Sequence, residues 1–333
     1  VSGANFQASA IRPFRPLPLI ILAGIALASL LIAVRVGSVE IALLDLWQVL
    51  CGNGNSLHQT LVFELRLPRA LAAFATGGLL AVAGSLMQVL LRNPLADPYI
   101  LGLSSGSAVG ALFAMLMGLT GLIVSGAAFA GALISATLVF TLANGGGSWT
   151  PTRLLLTGVI ISSGWSALVT FMLAISPSDK LPGMLFWLMG DLAYSGSPWP
   201  ALLVLISTCL ILTPLGRSLN VLARGPMQAA TLGIQVKQME WGIYIFASLL
   251  TAFAVTTAGS IGFVGLIIPH MLRLVLGNDQ RLILPASALA GGSLLTLADT
   301  LARSIIAPQQ LPAGVITAML GVPTFLYLLH RSR

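Results

Sequence analysis

The segment running from Gly259 through Ser260, Ile261, Gly262, Phe263, Val264, Gly265, Pro269 and His270 to Arg273 places glycines, a proline, a histidine and an arginine inside an otherwise apolar stretch. Hydrocarbon tolerates such residues only where neighbouring helices or a water-lined path satisfy their polar groups. Asp299 and Arg303 form a second polar insertion. They lie one helical turn apart, so a local ion pair is the simplest reading. The third is Gly102-Leu103-Ser104-Ser105-Gly106, which matches G-x-S-x-G. A nucleophile elbow needs that pattern on a strand-to-helix turn, and here it opens an apolar helical run. His270 and Asp299 complete a serine triad only on paper; a small-residue helix start is the plainer expectation, and His270 alone reads as a structural hydrogen-bonding residue.

The elements that must position these residues are membrane helices. The chain is 57% hydrophobic and 8% charged, against about 25% charged residues in soluble domains. Apolar runs of spanning length fall at about 17–36, 67–91, 99–118, 120–143, 154–175, 198–215, 240–259, 261–277, 282–305 and 311–330. The first is too long for a secretory h-region and reads as an uncleaved span. The run 181–190 is too short to cross and predicts a re-entrant or interfacial helix. The fold class is therefore all-α: a single polytopic membrane domain over 1–333 with ten transmembrane helices. The short outer helix and a cytoplasmic 216–237 connection complete it, and the 37–66 connection, with Glu40, Asp45, Trp47 and Glu64, predicts a short amphipathic helix.

An even number of spans places both termini on one side. Arg12, Arg15, Arg92, Arg153, Arg217, Arg224, Lys237, Arg273, Arg281, Arg331 and Arg333 then fall inside, and Arg35, Arg66, Arg69, Lys180 and Arg303 outside. The bias has the sign of the positive-inside rule. It accounts for the net charge of +7 without nucleic acid, since basic residues lie between apolar runs and form no cluster with aromatics. Gly102, Gly106 and Gly110, with Gly121, Gly126, Gly131, Gly77 and Gly84, recur at helix-packing spacing, and static packing is their expected role. Gly145, Gly146 and Gly147 form a turn between spans four and five. No G-x-x-x-x-G-K-[ST] loop, H-E-x-x-H or metal-ligand spacing occurs, and Cys51 and Cys209 are too isolated to suggest a disulfide. Catalytic, cofactor-binding and metal residues are thus all expected to be absent from the chain.

Several motifs, weak singly and specific together, resemble the FecCD-type permeases of ATP-driven importers for iron chelates, haem and vitamin B12. Arg66-Leu67-Pro68-Arg69 is followed by Gly77, Ala81, Gly84 and Gln88, then by Arg92-Asn93-Pro94-Leu95-Ala96-Asp97-Pro98 and Leu101-Gly102. Further along come Arg153-Leu154-Leu155-Leu156-Thr157-Gly158 and the signature positions Gly262, Gly265, Pro269, His270 and Arg273. Leu297-Ala298-Asp299 with Arg303, Leu311-Pro312-Ala313-Gly314 and Leu320-Gly321-Val322-Pro323 close the set. The likeness covers about residues 17–330.

The resemblance implies a function. ATPase coupling would fall to Leu219, Asn220, Leu222, Arg224, Gly225, Ala229, Leu232 and Gly233. Two positions depart from the family pattern, with Arg224 for a leucine and Pro226 for an acid; Pro226 suits the first turn of a second coupling helix. Asn93 and Leu95 would form an inner gate, with Pro151 and Thr152 as a second layer. Arg66, Arg69 and Arg303 would dock acidic residues of a periplasmic binding protein. Spans five and ten and the 181–190 helix would line the path, with Ser162, Ser163, Ser166 and Thr170 giving span five a mildly polar character. The implied partners are a second copy of the chain, two cytoplasmic ATPase subunits holding ATP and Mg, the binding protein and the lipid bilayer of a Gram-negative inner membrane, with no nucleic acid. Haem is the first expectation for cargo, a ferric siderophore next, cobalamin third. An ion-coupled secondary transporter is the rival from another class, resting on the Gly/Pro-broken span eight and Asp299. The Ser104 hydrolase is the rival among enzymes.

Overall fold

The computed structural model describes residues 16–37, 41–53, 55–145, 149–193 and 195–331. Expectations that involve Arg12, Arg15, Glu40, Gly146, Gly147 and Arg333 lie outside the described residues. Every regular element among the described residues is helical. In chain order these are α1 (Leu17–Arg35), α2 (Leu43–Leu50), α3 (Ser56–Thr60), α4 (Leu67–Leu90), α5 (Leu103–Leu116), α6 (Leu122–Ala143), α7 (Pro151–Ala174) and α8 (Leu181–Met189). They continue as α9 (Trp199–Leu212), α10 (Gly216–Ala223), α11 (Pro226–Thr231), α12 (Val236–Ala258), α13 (Val264–Leu276), α14 (Gln280–Ser304) and α15 (Ala313–Arg331). A π-helical turn, Leu61–Arg66, joins α3 to α4, so that Ser56–Leu90 runs unbroken for 35 residues.

Six of these helical stretches are long and apolar enough to cross a bilayer, or seven if α9 and α10, bent by 73° at their junction, count as one span. Ten full crossings were expected from the apolar runs. The shortfall falls on α5, α13 and α15, apolar helices below the spanning length over their described residues. With about 1.5 Å rise per residue, the 14 residues of α5 and 13 of α13 reach only part of a hydrocarbon core about 30 Å thick. Both apolar runs begin with backbone that is not α-helical. A 3-10 turn, Pro98–Leu101, precedes α5, and residues 259–263 precede α13.

α4 is the buried axis of the molecule. It packs on α14, α12, α13 and α9, and α5 packs on α6. Its Ala- and Gly-rich sequence permits this, because small residues let helix backbones approach closely in lipid. A Cβ on Gly77 would run into the backbone of Gly291, and one on Gly84 into the carbonyl oxygen of Gly265. Gly106 and Gly110 meet Gly131 and Ala127 across the α5–α6 contact in the same way. α7 is the opposite case: only 11% of its most apolar window is buried.

Candidate functional site

The antiparallel pair α4–α14 sets two ends of the bundle. At one end Arg69, near the start of α4, forks onto Asp299, near the end of α14. Its Nε donates to both carboxylate oxygens at 3.0 and 3.1 Å, and its Nη2 donates to Oδ1 at 2.8 Å. Arg303 Nε stands 3.2 Å from the other oxygen of the same carboxylate. Arg69 also donates to Gln310 Oε1 at 3.0 Å, and its Nη2 stands 3.8 Å from Asp191 Oδ1. Asp299 is 1% exposed and Arg303 8%, so the local pair expected from spacing is present and is one part of a buried network. Sequence reasoning missed Asp191 and Gln310. Nothing in local spacing joins positions 69, 191, 299 and 310.

The three arginines assigned to docking differ in exposure. Arg66 is 6% exposed and donates through Nη1 to the carbonyls of Val34 and Arg35, closing the C-terminal end of α1. Arg303 donates to the Ala33 carbonyl at 3.1 Å. Both guanidinium groups are therefore turned inward. Arg69, whose side chain is 12% exposed against 8% for Arg303, is the more outward of the two that hold Asp299.

The opposite end carries the 216–237 segment, folded as α10 and α11, and Pro226 occupies the first turn of α11. The eight residues expected to couple divide by burial. Leu219, Leu222 and Ala229 are buried and hold the two short helices on the bundle. Asn220 clasps the start of α14: its Nδ2 donates to Asp279 Oδ1 at 2.8 Å, and its Oδ1 accepts from Gln280 N at 2.7 Å. Arg281 Nη2 closes on Asp279 Oδ2 at 2.6 Å. Its guanidinium holds the Asp279 carboxyl below the ordinary range, helped by Asn220 and opposed by partial burial. Arg224, Leu232 and Gly233 face outward, while Gly225, with φ +129°, is the joint between the helices. Met227, 82% exposed, was missed; its position on the outer face of α11 is visible only once that short helix is in place.

At the same end lies the 91–97 turn, which follows α4 where that helix packs on α10. Asn93 accepts from Leu95 N at 2.9 Å through its side chain, which fixes the tight bend, and Leu95 is 37% exposed. Asp97 caps the following turn by accepting from Tyr99 N at 2.7 Å. Burial pushes the Asp97 carboxyl up to about 6 against that amide bond. Pro151 and Thr152 open α7, whose N-cap Thr150 accepts from Arg153 N.

Between the two ends, residues 259–263 break the α12–α13 path. Phe263 has φ +71°, a conformation uncommon for a non-glycine residue. The bend is held from several sides. Ile261 N donates to the Tyr99 hydroxyl at 3.1 Å, and the Ser260 and Ser104 hydroxyls are 2.6 Å apart. Pro269 lacks the N–H that would bond the Gly265 carbonyl, and that oxygen faces Gly84 instead. Arg273 bonds Gln88, which in turn donates to the Leu266 carbonyl at 3.1 Å. Gly262 and His270 are half-buried. The paper triad is not assembled: Ser104 is engaged by Ser260, and Asp299 by two arginines.

On α7, Ser163, Ser166 and Thr170 are exposed along one flank at helical spacing, and Ser162 is half-buried. The Ser163 and Thr170 hydroxyls bond back to carbonyls one turn earlier, which satisfies them within the helix. The adjoining flank, with Ile160 and Phe171, is apolar and exposed. The helix thus shows an apolar flank and a mildly polar one side by side.

The profile of the FecCD transport family matches residues 24–331. The chain belongs to the FecCD transport family. Its relatives include the cobalamin import system permease protein BtuC of Halobacterium salinarum, 44% identical over 277 residues, 82% of this chain and 74% of that protein. The hemin transport system permease protein HmuU of Yersinia pestis is 38% identical over 95% of this chain and 94% of its own length. The Fe(3+) dicitrate transport system permease protein FecD of Escherichia coli is 38% identical over 94% and 96%. A solved ABC transporter in an inward-facing conformation superposes with a TM-score of 0.85 at 31% identity, covering 95% of this chain and 100% of that one. The all-helical bundle is thus the fold of an ABC transporter membrane chain.

Proposed function

We propose that this FecCD-family chain is the transmembrane permease subunit of an ATP-driven importer that carries haem or a ferric siderophore from a periplasmic binding protein to the cytoplasm. Its place is the bacterial inner membrane, with both termini cytoplasmic. The observation that carries this reading is the division of the 216–237 segment. Leu219, Asn220, Leu222 and Ala229 fasten it to the bundle, while Arg224, Met227, Leu232 and Gly233 are left outward. A surface so anchored and so apolar at its tip suits a second protein that pushes on it, and an ATPase holding ATP and Mg is the partner that an ABC transporter supplies.

Ten crossings follow if α5, α13 and α15 and the bent α9–α10 pair each count as one. Two copies of the chain would enclose the path along α7, α8 and α15, whose exposed faces carry Ser163, Ser166, Thr170, Phe186, Leu185 and Leu326. No charged side chain lies among these, and a neutral wall releases a large ligand as readily as it admits it. Asn93 and Leu95, with Pro151 and Thr152, sit at the end that bears the coupling helices, where a cytoplasmic gate belongs. Docking of the binding protein falls chiefly to Arg69, with Arg66 and Arg303 as the buried base beneath it.

Cobalamin is the alternative cargo, favoured by the relative from Halobacterium salinarum. The test is purification of the tagged chain from native membranes in mild detergent, with mass spectrometry of what accompanies it. A stoichiometric partner carrying a P-loop is expected. A chain that purifies alone under several detergents, with uptake abolished by an ionophore and not by ATP depletion, moves the secondary transporter into first place. Uptake of haem, ferric siderophore and cobalamin by the reconstituted complex then separates the cargoes.

A further inference from the structure

The Arg69 cluster continues inward into a tight backbone junction. Asp191 directly follows Gly190, which ends α8 with φ +77°. A Cβ on Gly190 would press on the Ser260 carbonyl oxygen, one on Gly259 on the Trp187 carbonyl, and one on Gly314 on the Met189 carbonyl. The Gly314 N–H also donates to the Gly190 carbonyl at 3.1 Å. The end of α8, the start of α15 and the 259–263 bend are therefore interlocked through three glycines. Asp191 ties this junction to Arg69.

The two carboxylates on Arg69 are held unequally. Asp299 takes a forked set of bonds down to 2.8 Å, whereas Asp191 stands 3.8 Å away and also accepts from Ala193 N at 2.9 Å. The Asp191 side chain is only 9% exposed, and its carboxyl is pushed above the ordinary range, first by burial. Arg69 and Arg303, with Arg66 within electrostatic reach of Arg303, face the two acids Asp191 and Asp299. A third carboxylate brought to Arg69 would repel both acids, and the repulsion is relieved most readily by displacing the one more loosely bound.

We infer that Arg69 is a carboxylate-exchange site: an acidic side chain of a docked protein takes the place of Asp191 on the guanidinium, and the freed Asp191 loosens the Gly190–Gly314 junction between α8 and α15. The importer reading supplies the identity of the acidic partner, and the inference rests on it to that extent. The consequence is that docking is felt at the path without any movement of α4 or α14, which stay joined through Asp299.

Hydrogen exchange on the full chain in lipid nanodiscs tests this, with hexaglutamate as the carboxylate probe and hexalysine as control. In Asp191→Asn, amides of 187–193 and Gly314 are expected to exchange about tenfold faster than in the unaltered chain, while those of 104–110 stay unchanged. Hexaglutamate is expected to reproduce the acceleration in the unaltered chain at low salt, to lose it at 0.5 M salt, and to do nothing further in Asp191→Asn or Arg69→Gln. Exchange in Asp191→Asn that equals the unaltered chain overturns the inference. So does acceleration by hexaglutamate that persists in Arg69→Gln. The measurement needs no ATPase or binding protein, so its failure is separate from failure to capture those partners.

Discussion

At the scale of single residues, the molecule stakes most on Asp299. One carboxylate, 1% exposed, answers two arginines that are themselves 12% and 8% exposed. Removing one partner of a buried ionic set strands the others, at a cost of about 3–5 kcal/mol. Asp299→Ala should therefore lower the thermal midpoint of the detergent-solubilised chain strongly, and Asp299→Glu should recover much of the loss. An unchanged midpoint in Asp299→Ala would show that water already serves the arginines. Asp279 makes a different prediction, in pH. Its folded-state pKa is depressed below the unfolded value by Arg281, so its contribution is complete above the unfolded pKa and disappears as pH falls through the folded one. The difference in melting temperature between the unaltered chain and Asp279→Asn should be largest near neutrality and shrink below about pH 4. A difference that stays constant from pH 7 to pH 3 would contradict the Asp279–Arg281–Asn220 clasp as its source. Among residues, Asp299 with Arg303 was legible in the sequence because a helix fixes neighbours four apart. Asp191 was not, since its pairing depends on where α8 ends against α4 and α14.

At the scale of elements, close backbone approach is the governing feature, and glycines report it unevenly. Gly84 abuts the Gly265 carbonyl, whereas Gly126 has open space around the position of a Cβ. Gly84→Ala should force α4 from α13 and cost about 1–3 kcal/mol as overpacking, read as a lowered midpoint in thermal unfolding. Gly126→Ala should leave the midpoint unchanged or raise it slightly. Equal behaviour of the two variants would sink the assignment of α4–α13 as a contact that tolerates no side chain. The repeat of glycines in the sequence announced helix packing without saying which of them touch. Likewise the apolar runs announced spans, but α5 and α13 came out shorter than their runs. Hydropathy registers burial in hydrocarbon or protein alike and does not see whether the backbone there is helical.

At the scale of the whole molecule, the proposed function predicts that changes on the 216–237 segment and on α7 separate stability from transport. Leu219→Ala removes a buried anchor and should cost about 2–5 kcal/mol. Met227→Ala and Leu232→Ala remove exposed side chains and should leave thermal stability within about 0.5 kcal/mol while weakening retention of the co-purifying ATPase. Should retention survive both changes, the outward face of α11 is not where the partner grips. For the path, cysteines at Ser166 and Thr170 in a background lacking Cys51 and Cys209 should react with a membrane-impermeant thiol reagent, and a cysteine at Ile160 should not. Equal labelling of all three would place both flanks of α7 in the same surroundings.

The sequence by itself determined the class of molecule and its family. An apolar fraction this high, cut into runs of spanning length, leaves a helical membrane protein as the only way to satisfy the backbone, and the motifs around positions 66–98 and 259–273 carry the FecCD likeness. Tertiary structure alone decided which side chains are buried anchors and which face outward. It placed Asp191 and Gln310 on Arg69, joined Asn220 to Asp279, and folded 259–263 into a bend held by Tyr99 and Ser104. The reason is physical. Local spacing fixes which residues share a helix face, whereas contacts between positions some 60 to 240 apart depend on how the helices pack, and in this chain small residues set that packing.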